Sequence, residues 1–239
     1  QSYLSELAGG KKKKESIFDP LKVFKDFRNY LGNAYLNFSE PIDLDIFLEE
    51  HVGDYSISSP QEKPEWLQQA TSQLGQKVIK SINNSVAVTS TSLFSVALLT
   101  SSTQAMSEED MISRIKFFMT LISNSSDYKD IWFTQEDIQE MIAKTEKLGF
   151  ISPTFVSSKK IYRPSADQIS TLSFYKNNIA HLFILYSLIC ESIKFVKKAS
   201  EEDVVNLLVM TYPIFAKDFH LKQSIASTET VKAAMVVLK

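Results

Sequence analysis

The three histidines are the side chains best suited to proton transfer or metal binding in this sequence. His51 is followed by Asp54, but the linker that begins there gives the two side chains no rigid frame, and His220 has only Asp218 nearby. A zinc site needs about four nitrogen, sulfur or oxygen ligands at defined spacing. We therefore predict no metal site and interpret His181 as a hydrogen-bonded histidine in or near the core.

Cys190 is the only cysteine in the sequence, which excludes an internal disulfide and fits a reducing compartment. It lies in the most apolar segment, where a thiol is expected to be inert. The sequence contains no glycine-rich phosphate loop, no G-x-S-x-G elbow and no H-E-x-x-H motif. From the residues alone we predict no active site in this chain.

Cationic side chains cluster near the start of the sequence. Residues 11–30 contain seven basic and three acidic side chains. Ile17, Leu21 and Phe24 recur at helical spacing in the same stretch. Two interpretations stay open: the solvated face of an amphipathic helix, or an edge that faces phosphate groups or a membrane.

The composition is that of an ordinary globular protein. The chain has 239 residues, of which 44% are hydrophobic and 23% are charged, enough for one large or two small domains. Only six glycines are present, which favours helices over a turn-rich β fold. The net charge of -2 predicts no strong attraction to nucleic acid or to an acidic membrane.

The helix predicted over Thr171 to Phe195 organises the rest of the chain. Apolar residues recur in it at three- and four-residue steps, and from Leu182 onward the other faces are mostly apolar too. A helix that is apolar nearly all round must be buried by its neighbours. Its apolar run is roughly a dozen residues, whereas a membrane span needs about 20. We therefore predict a central core helix, and no segment long enough to span a membrane.

The sequence before this helix predicts one strand and a domain boundary. Ala34 to Phe38 alternates as a strand does, and Pro41 ends it. Because a single strand is not stable alone, its sheet partners are expected outside this chain. A short helix over 45–52 and a linker over 53–64 follow. The predicted fold class is mostly α: residues 1–52 as the end of an α/β domain (one strand plus helix), then an incomplete helical region over 65–239.

Caps and periodicity define the remaining elements. Ser107 and Ser200 are predicted N-caps, and Thr134 with Asp137 is a predicted capping box. A hairpin is expected from Ile151–Val156 and Lys160–Arg163. Further helices are predicted at 65–83, 89–101, 107–123, 134–148, 201–219 and from about 227.

Three helices followed by a hairpin is the order of a winged helix, so DNA binding must be considered. Residues 108–150 contain nine acidic and five basic side chains, and Glu136, Asp137, Glu140 and Glu146 lie on the helix that would read DNA. Phosphate repels such a helix. We therefore predict a winged-helix-like hairpin that serves packing, with no nucleic acid as partner.

Four stretches carry a resemblance to a known family: LSELAGGKKKKES from Leu4, RNYLGNAYLNFSEP from Arg28, the stretch Val78 to Leu99 that contains INNSVAVTSTSLFSVALL, and LSFYKNNIAHLFILYSLI from Leu172. In order and approximate spacing they resemble the bacterial membrane-bound glycerol-3-phosphate acyltransferases. The resemblance covers nearly the whole chain, and FYKNNIAHLF and YLNFSEP are its most specific parts.

This resemblance implies a function in phospholipid biosynthesis. The family transfers an acyl group from acyl-CoA or acyl-carrier protein to the 1-hydroxyl of glycerol 3-phosphate and uses no cofactor beyond that donor. It implies a location at the bacterial inner membrane, peripheral on the cytoplasmic side. The family's catalytic motif is His-x-x-x-x-Asp, in which the carboxylate orients a histidine that acts as general base. Basic residues hold the substrate phosphate.

This sequence lacks both the catalytic motif and the family's Gly-Gly-Arg-Ser-Arg-type phosphate motif. The residues five positions after the three histidines are Ser56, Tyr186 and Ile225. The chain is therefore expected to be an internal fragment of the enzyme, with no catalytic residue of its own.

Two hypotheses follow. In the first, the chain is part of the acyltransferase, where its helices support the catalytic domain, and Lys13, Lys14 and Arg28 lie near the phosphate of a substrate, of CoA or of a lipid. In the second, the chain is a non-enzymatic scaffold or interaction module that binds a protein partner through residues 107–163.

Overall fold

The computed structural model describes residues 32–55, 63–125, 131–164, 166–196, 200–221 and 228–238. Within these ranges the chain is mostly helical and forms two compact units, each assembled from alternating segments. Unit 1 contains the described residues of 32–35, 89–117 and 135–177. Unit 2 contains the described residues of 36–88, 118–134 and 178–239. The domain boundary predicted at 53–64 stays a prediction.

The helices, in chain order, are α1 (Leu44–His51), α2 (Trp66–Asn84), α3 (Ser90–Leu99), α4 (Glu108–Ser123), α5 (Ile138–Lys147), α6 (Ile169–Ile179), α7 (Ile184–Phe195), α8 (Glu201–Asp218) and α9 (Thr228–Val237). The strands are β1 (Ala87–Val88), β2 (Met106–Ser107), β3 (Trp132–Phe133), β4 (Thr154–Val156) and β5 (Lys159–Tyr162).

Side-chain caps start α4 and α5. The Ser107 hydroxyl accepts a hydrogen bond from the Asp110 amide at 3.1 Å, which confirms Ser107 as the cap of α4. At α5 the capping box is formed by Asp137 and Glu140, one turn later than the predicted pair of Thr134 and Asp137. The predicted pair is wrong because Asp137 holds the extended backbone of an N-cap, so the helix begins at Ile138.

Unit 1 contains a small antiparallel sheet beside its helices. The strand order is β2-β5-β4, with Met106 opposite Tyr162 and Thr154 opposite Ile161. The predicted hairpin is present: β4 and β5 are joined by Ser157 and Ser158, both with positive φ, as a tight two-residue hairpin loop requires.

The core of unit 1 lies where α3 packs against α5. The Phe94 ring meets the Tyr162 ring edge-on at 5.5 Å between centroids, and both side chains are fully buried. The other large buried side chains of this unit include Leu93, Leu98, Met111, Ile115, Met141 and Leu172.

Unit 2 is organised around α7, which packs against α8 and α9. The predicted cap of α8 is confirmed, because Ser200 and Asp203 form a capping box. Val204, Leu208, Tyr212 and Ala216 recur every four residues along α8, and all four are buried. They form the buried face of this amphipathic helix. In the same unit β1 and β3 pair in parallel.

The predicted strand over Ala34 to Phe38 is wrong. These residues are irregular backbone, and Leu36 and Phe38 are each 85% exposed. An alternating pattern becomes a strand only when a neighbouring strand satisfies its backbone groups. None of the described residues pairs with this stretch in a sheet. The short helix predicted to follow is confirmed as α1.

The predicted central helix is interrupted. A 3-10 turn over Ala180–Phe183 separates α6 from α7. Together residues Ile169–Phe195 form a helical run of 27 residues that, by length and apolar composition alone, could cross a membrane. The expectation that no segment is long enough is therefore wrong. In the most apolar window of that run, 39% of the residues are buried inside the protein, and core helices pass the same test.

Candidate functional site

The three residues predicted to face a phosphate, Lys13, Lys14 and Arg28, lie outside the described residues. Their assignment stays a prediction. Among the described residues, the features that could bind a ligand or take part in chemistry are two polar clusters in unit 1, one histidine in unit 2 and an apolar groove in unit 2.

The first cluster surrounds Lys144 on α5. Its ammonium donates a hydrogen bond to the Tyr35 hydroxyl at 2.7 Å and forms an ion pair with Glu136. The other carboxylate oxygen of Glu136 accepts a hydrogen bond from the Ser90 hydroxyl at the start of α3. The Lys144 side chain is only 11% exposed. A buried ammonium of this kind is stable only because charged and polar partners compensate its lost hydration.

These contacts keep Lys144 charged. Burial lowers the pKa of Lys144, but its hydrogen bonds to Glu136 and Tyr35 outweigh burial, so the pKa lies above its ordinary value. A lysine that acts as a general base needs a lowered pKa. The Lys144 cluster can therefore bind and orient negative or hydrogen-bond-accepting groups, but it cannot remove a proton near neutral pH.

A cavity of about 60 Å³ adjoins this cluster, and we call it the Lys144 cavity. It lies beside the first turn of α3, where the Thr89 hydroxyl caps the helix by accepting a hydrogen bond from the Ser92 amide at 3.2 Å. Gly32 closes one side with a φ of +76°, and a Cβ there would lie 3.0 Å from Leu148. The cavity is lined by Gly32, Asn33, Tyr35, Thr89, Ser90, Thr91, Lys144, Leu148 and Tyr175.

The second cluster of unit 1 joins β5 to α4 and α5. The Tyr162 hydroxyl lies 2.9 Å from Glu108 Oε2 and 2.8 Å from Glu146 Oε1. Lys160 Nζ lies 3.3 Å from Glu108 Oε2 and 2.5 Å from Glu146 Oε1. Burial and the two carboxylates raise the pKa of Tyr162 far above its ordinary range. This cluster connects a strand to two helices, and the raised pKa keeps its tyrosine in the neutral form.

His181 joins two of the stretches that carry the family resemblance. It is 6% exposed, and its Nε2 lies 3.0 Å from the backbone oxygen of Asn83. The Asn83 side chain in turn donates to the backbone oxygen of Phe219 at 2.8 Å. Burial lowers the pKa of His181, and the hydrogen bond to Asn83 offsets part of that effect. The prediction of a hydrogen-bonded core histidine is confirmed.

Cys190 is half-buried on α7, and burial raises the pKa of its thiol. A raised pKa lowers the thiolate fraction, so this thiol is a poor nucleophile. Within the described ranges, no group of three His, Cys, Asp or Glu side chains is arranged to hold a metal ion.

An apolar groove of about 470 Å³ lies between α7 and α8 in unit 2. Leu188, Phe195 and Leu207 provide its apolar wall. Its charged side chains, Glu191 and Lys194, pair with each other at 2.7 Å. The groove therefore offers contact area rather than catalytic groups.

The described residues thus define a mostly helical region with a small antiparallel sheet, in which polar side chains bind one another across helices and strands. A family model described as the glycerol-3-phosphate acyltransferase C-terminal region matches residues 3–239. The chain belongs to this family.

Three relatives agree with this assignment, and each is named glycerol-3-phosphate acyltransferase. The relative from Alteromonas mediterranea is 33% identical over 99% of this chain. The relative from Pseudoalteromonas atlantica is 31% identical over 93% of the chain, and that from Pseudomonas paraeruginosa is 28% identical over 97%. The chain spans less than a third of the length of these relatives: 30% of the first and 28% of the other two.

The sequence alone did not identify the Lys144 cluster. Tyr35 and Ser90 are far in the chain from Glu136 and Lys144, and only the fold brings them together. In the sequence, Glu136 stands out only as one of several acidic residues on its helix. The one local signal is the run of hydroxyl residues Thr89 to Ser92 at a predicted helix start, because such residues cap helices and surround anion sites.

Proposed function

We propose that this chain is the C-terminal part of an enzyme that acylates glycerol 3-phosphate in phospholipid biosynthesis, with acyl-CoA or acyl-carrier protein as the donor. The observation that carries this proposal is the family match over residues 3–239. The relatives described above carry the name of an enzyme, which gives the alternative of a non-enzymatic scaffold no support. In this proposal the described units support a catalytic domain rather than perform the chemistry.

Packing supports a structural function for these units. In unit 1 the Tyr162 cluster joins a strand to two helices, and in unit 2 the pair of His181 and Asn83 joins two distant segments. Each of these groups is satisfied by its neighbours, as buried polar groups in a structural core are. We expect changes at these positions in the complete enzyme to reduce its stability before they change the chemistry of acyl transfer.

Unit 1 is proposed to be a winged-helix-like module used for packing. The order α3, β2, α4, α5, β4, β5 and the sheet order β2-β5-β4 support this. Its acidic side chains include Glu136, which already pairs with Lys144. We expect no binding to duplex DNA at physiological salt, and a gel-shift titration tests this.

The enzyme is proposed to be peripheral on the cytoplasmic side of the bacterial inner membrane. The uncharged stretch 204–216 on α8 supports contact with an apolar surface, because Val209, Met210 and Ile214 are 54%, 74% and 63% exposed. A flotation assay with phosphatidylethanolamine–phosphatidylglycerol vesicles tests it. The double variant Met210→Asp, Ile214→Asp should float less than a control, Ile82→Asp, which changes an exposed residue of α2.

The basic residues Lys13, Lys14 and Arg28 are proposed to lie near a phosphate of the substrate, of CoA or of a lipid. The test is their triple alanine variant in the complete enzyme that contains this chain. We expect a higher KM for glycerol 3-phosphate or weaker membrane binding. The matched control removes the same charges from exposed positions: Lys63→Ala, Lys159→Ala and Arg163→Ala. Unchanged KM and membrane binding in the first variant would exclude the site.

The proposed activity itself has a direct test. The complete open reading frame that contains this chain should acylate glycerol 3-phosphate when supplied with an acyl donor. A purified complete protein that folds, binds neither substrate and forms no lysophosphatidic acid would refute the proposal.

A further inference from the structure

Two large apolar side chains lie almost fully in solvent at the start of unit 2. Leu36 and Phe38 are each 85% exposed, more than any other large apolar side chain of the described residues. We call these two side chains the exposed pair. A single exposed leucine is ordinary on a protein surface, but adjoining exposed apolar side chains commonly belong to a contact with a partner.

The residues next to the exposed pair are bound to the protein. The Asn37 side chain donates a hydrogen bond to the backbone oxygen of Ser85 at 2.8 Å, and the Tyr35 hydroxyl accepts one from Lys144 at 2.7 Å. Positions 35 and 37 therefore contact the protein while positions 36 and 38 are exposed, as side chains alternate along an extended chain. These two contacts restrain the backbone around the exposed pair, which lowers the ordering cost of binding a partner.

The chain that follows the exposed pair is acidic. Residues 40–54 contain no lysine or arginine and six acidic side chains, all of them exposed: Glu40, Asp43, Asp45, Glu49, Glu50 and Asp54. An anionic lipid surface attracts basic segments and repels an acidic one, which argues against a membrane as the partner. In a symmetric dimer the same patch would meet itself, so like charges would face each other. Charge therefore also disfavours a second copy of the chain.

The small size of the exposed pair favours a partner on the same polypeptide. A stable interface between separate proteins buries about 800 Å² on each side, which is more than two side chains supply. A tethered partner acts at an effective concentration on the order of millimolar, so fewer contacts are enough to hold it. The matched family model describes a C-terminal region, and the chain spans only 30% and 28% of the Alteromonas mediterranea and Pseudomonas paraeruginosa relatives.

We propose that the exposed pair docks on the part of the complete protein that precedes this chain. The partner surface is apolar where it receives Leu36 and Phe38, and it has basic side chains at its edge, opposite the acidic residues of 40–54. This inference rests on the proposed function in one respect, that a complete protein continues upstream of this chain. It names the surface by which unit 2 contacts that upstream part.

The experiment is hydrogen exchange, measured by mass spectrometry on the complete protein and on the 239-residue chain in the same detergent buffer. The readout is the exchange rate of the backbone amides in peptides that cover residues 34–40. Docking should slow these amides at least about tenfold in the complete protein, because exchange then requires the docked segment to open. Equal exchange rates in the two proteins would overturn the proposal.

Variants of the complete protein test whether the two side chains cause the slow exchange. Leu36→Asp, Phe38→Asp should abolish it, because a carboxylate is costly to bury in an apolar contact. The matched control, Phe155→Asp, Val156→Asp, changes apolar residues of β4 that are 71% and 60% exposed, and it should leave residues 34–40 slow. If the first variant does not fold, Leu36→Ala, Phe38→Ala replaces it with the same expected loss. Slow exchange that survives in the folded variant, or that the control also abolishes, would overturn the proposal.

Two other results would identify a different partner and overturn the proposal. Slow exchange that depends on protein concentration would indicate a second copy, because docking within one polypeptide is independent of concentration. Slow exchange that appears only when phosphatidylethanolamine–phosphatidylglycerol vesicles are added would indicate a membrane. Hydrogen exchange needs no catalysis, so a complete protein without acyl transfer would refute the proposed function and leave the exchange result unchanged.

Discussion

Removing one hydroxyl from the Tyr162 cluster should destabilise unit 1 measurably. Tyr162 is fully buried, and its hydroxyl donates to one carboxylate while lying at 2.8–2.9 Å from both Glu108 and Glu146. Tyr162→Phe keeps the ring that meets Phe94, so it creates no cavity and loses little apolar contact. The change in the free energy of unfolding therefore reports the hydrogen bonds.

The expected magnitude follows from the surroundings of the hydroxyl. A hydrogen bond to a charged group contributes about 1.5–3 kcal/mol. The side chains of Glu108 and Glu146 are 37% and 26% exposed, and Lys160 contacts both, so water and the ammonium compensate part of the loss. We expect a destabilisation of about 2 kcal/mol, which for a chain of this size lowers Tm by about 4–8 °C.

The assay is thermal and urea unfolding of the chain in phosphate-free buffer, followed by circular dichroism. Tyr175→Phe is the matched control, because it makes the same chemical change at a tyrosine that touches Phe150 and Phe174 by its ring. Its hydroxyl has no partner in the described part of the chain, so the control should change the stability by less than about 0.5 kcal/mol. Equal effects of the two substitutions would refute the reasoning.

Three further predictions concern other positions. Because burial lowers the pKa of His181, the unfolded state binds a proton more readily, so stability should fall as pH decreases below about 6.5, and His181→Gln should reduce that fall in unfolding midpoints measured from pH 8 to 5. Asp137→Ala removes the cap of α5 and should cost about 1 kcal/mol in urea unfolding, whereas the helix-surface change Lys147→Ala should cost less. The purified 239-residue chain should show no acyl transfer, since it lacks His-x-x-x-x-Asp; product formation in a radiolabelled glycerol 3-phosphate assay would contradict this.

Local signals predicted most of the helices. Ser107 and Ser200 cap helices where their hydroxyls were expected to do so, because a cap depends on three or four neighbouring residues. The helix predicted over 65–83 is present as α2, with each end displaced by one residue. Caps and apolar periodicity are properties of a short segment, so the sequence contains enough information to place them.

The wrong predictions concern segments whose structure depends on residues that are distant in the chain. The pattern of Ala34 to Phe38 is that of a strand, but Tyr35 instead places its hydroxyl against Lys144, more than a hundred positions away in the chain. Lys144 is one of two lysines on a helix with several acidic side chains, and nothing in the local sequence distinguishes it. Its partner Glu136 meets the Ser90 hydroxyl only after α3 packs against α5. Neither the irregular backbone in place of the predicted strand nor the polar cavity could be predicted from the local sequence pattern.

The interrupted helix relates the most specific part of the family resemblance to a packing contact. The segment FYKNNIAHLF is its most specific part, and the 3-10 turn over Ala180–Phe183 falls inside it. That turn holds His181, which reaches the backbone of Asn83 in the other resembling segment. In a continuous α-helix the side chain at position 181 would point in a different direction, because a 3-10 helix has three residues per turn and an α-helix has 3.6. The distinctive residues of this segment therefore coincide with a break in the helix and with the contact that this break permits.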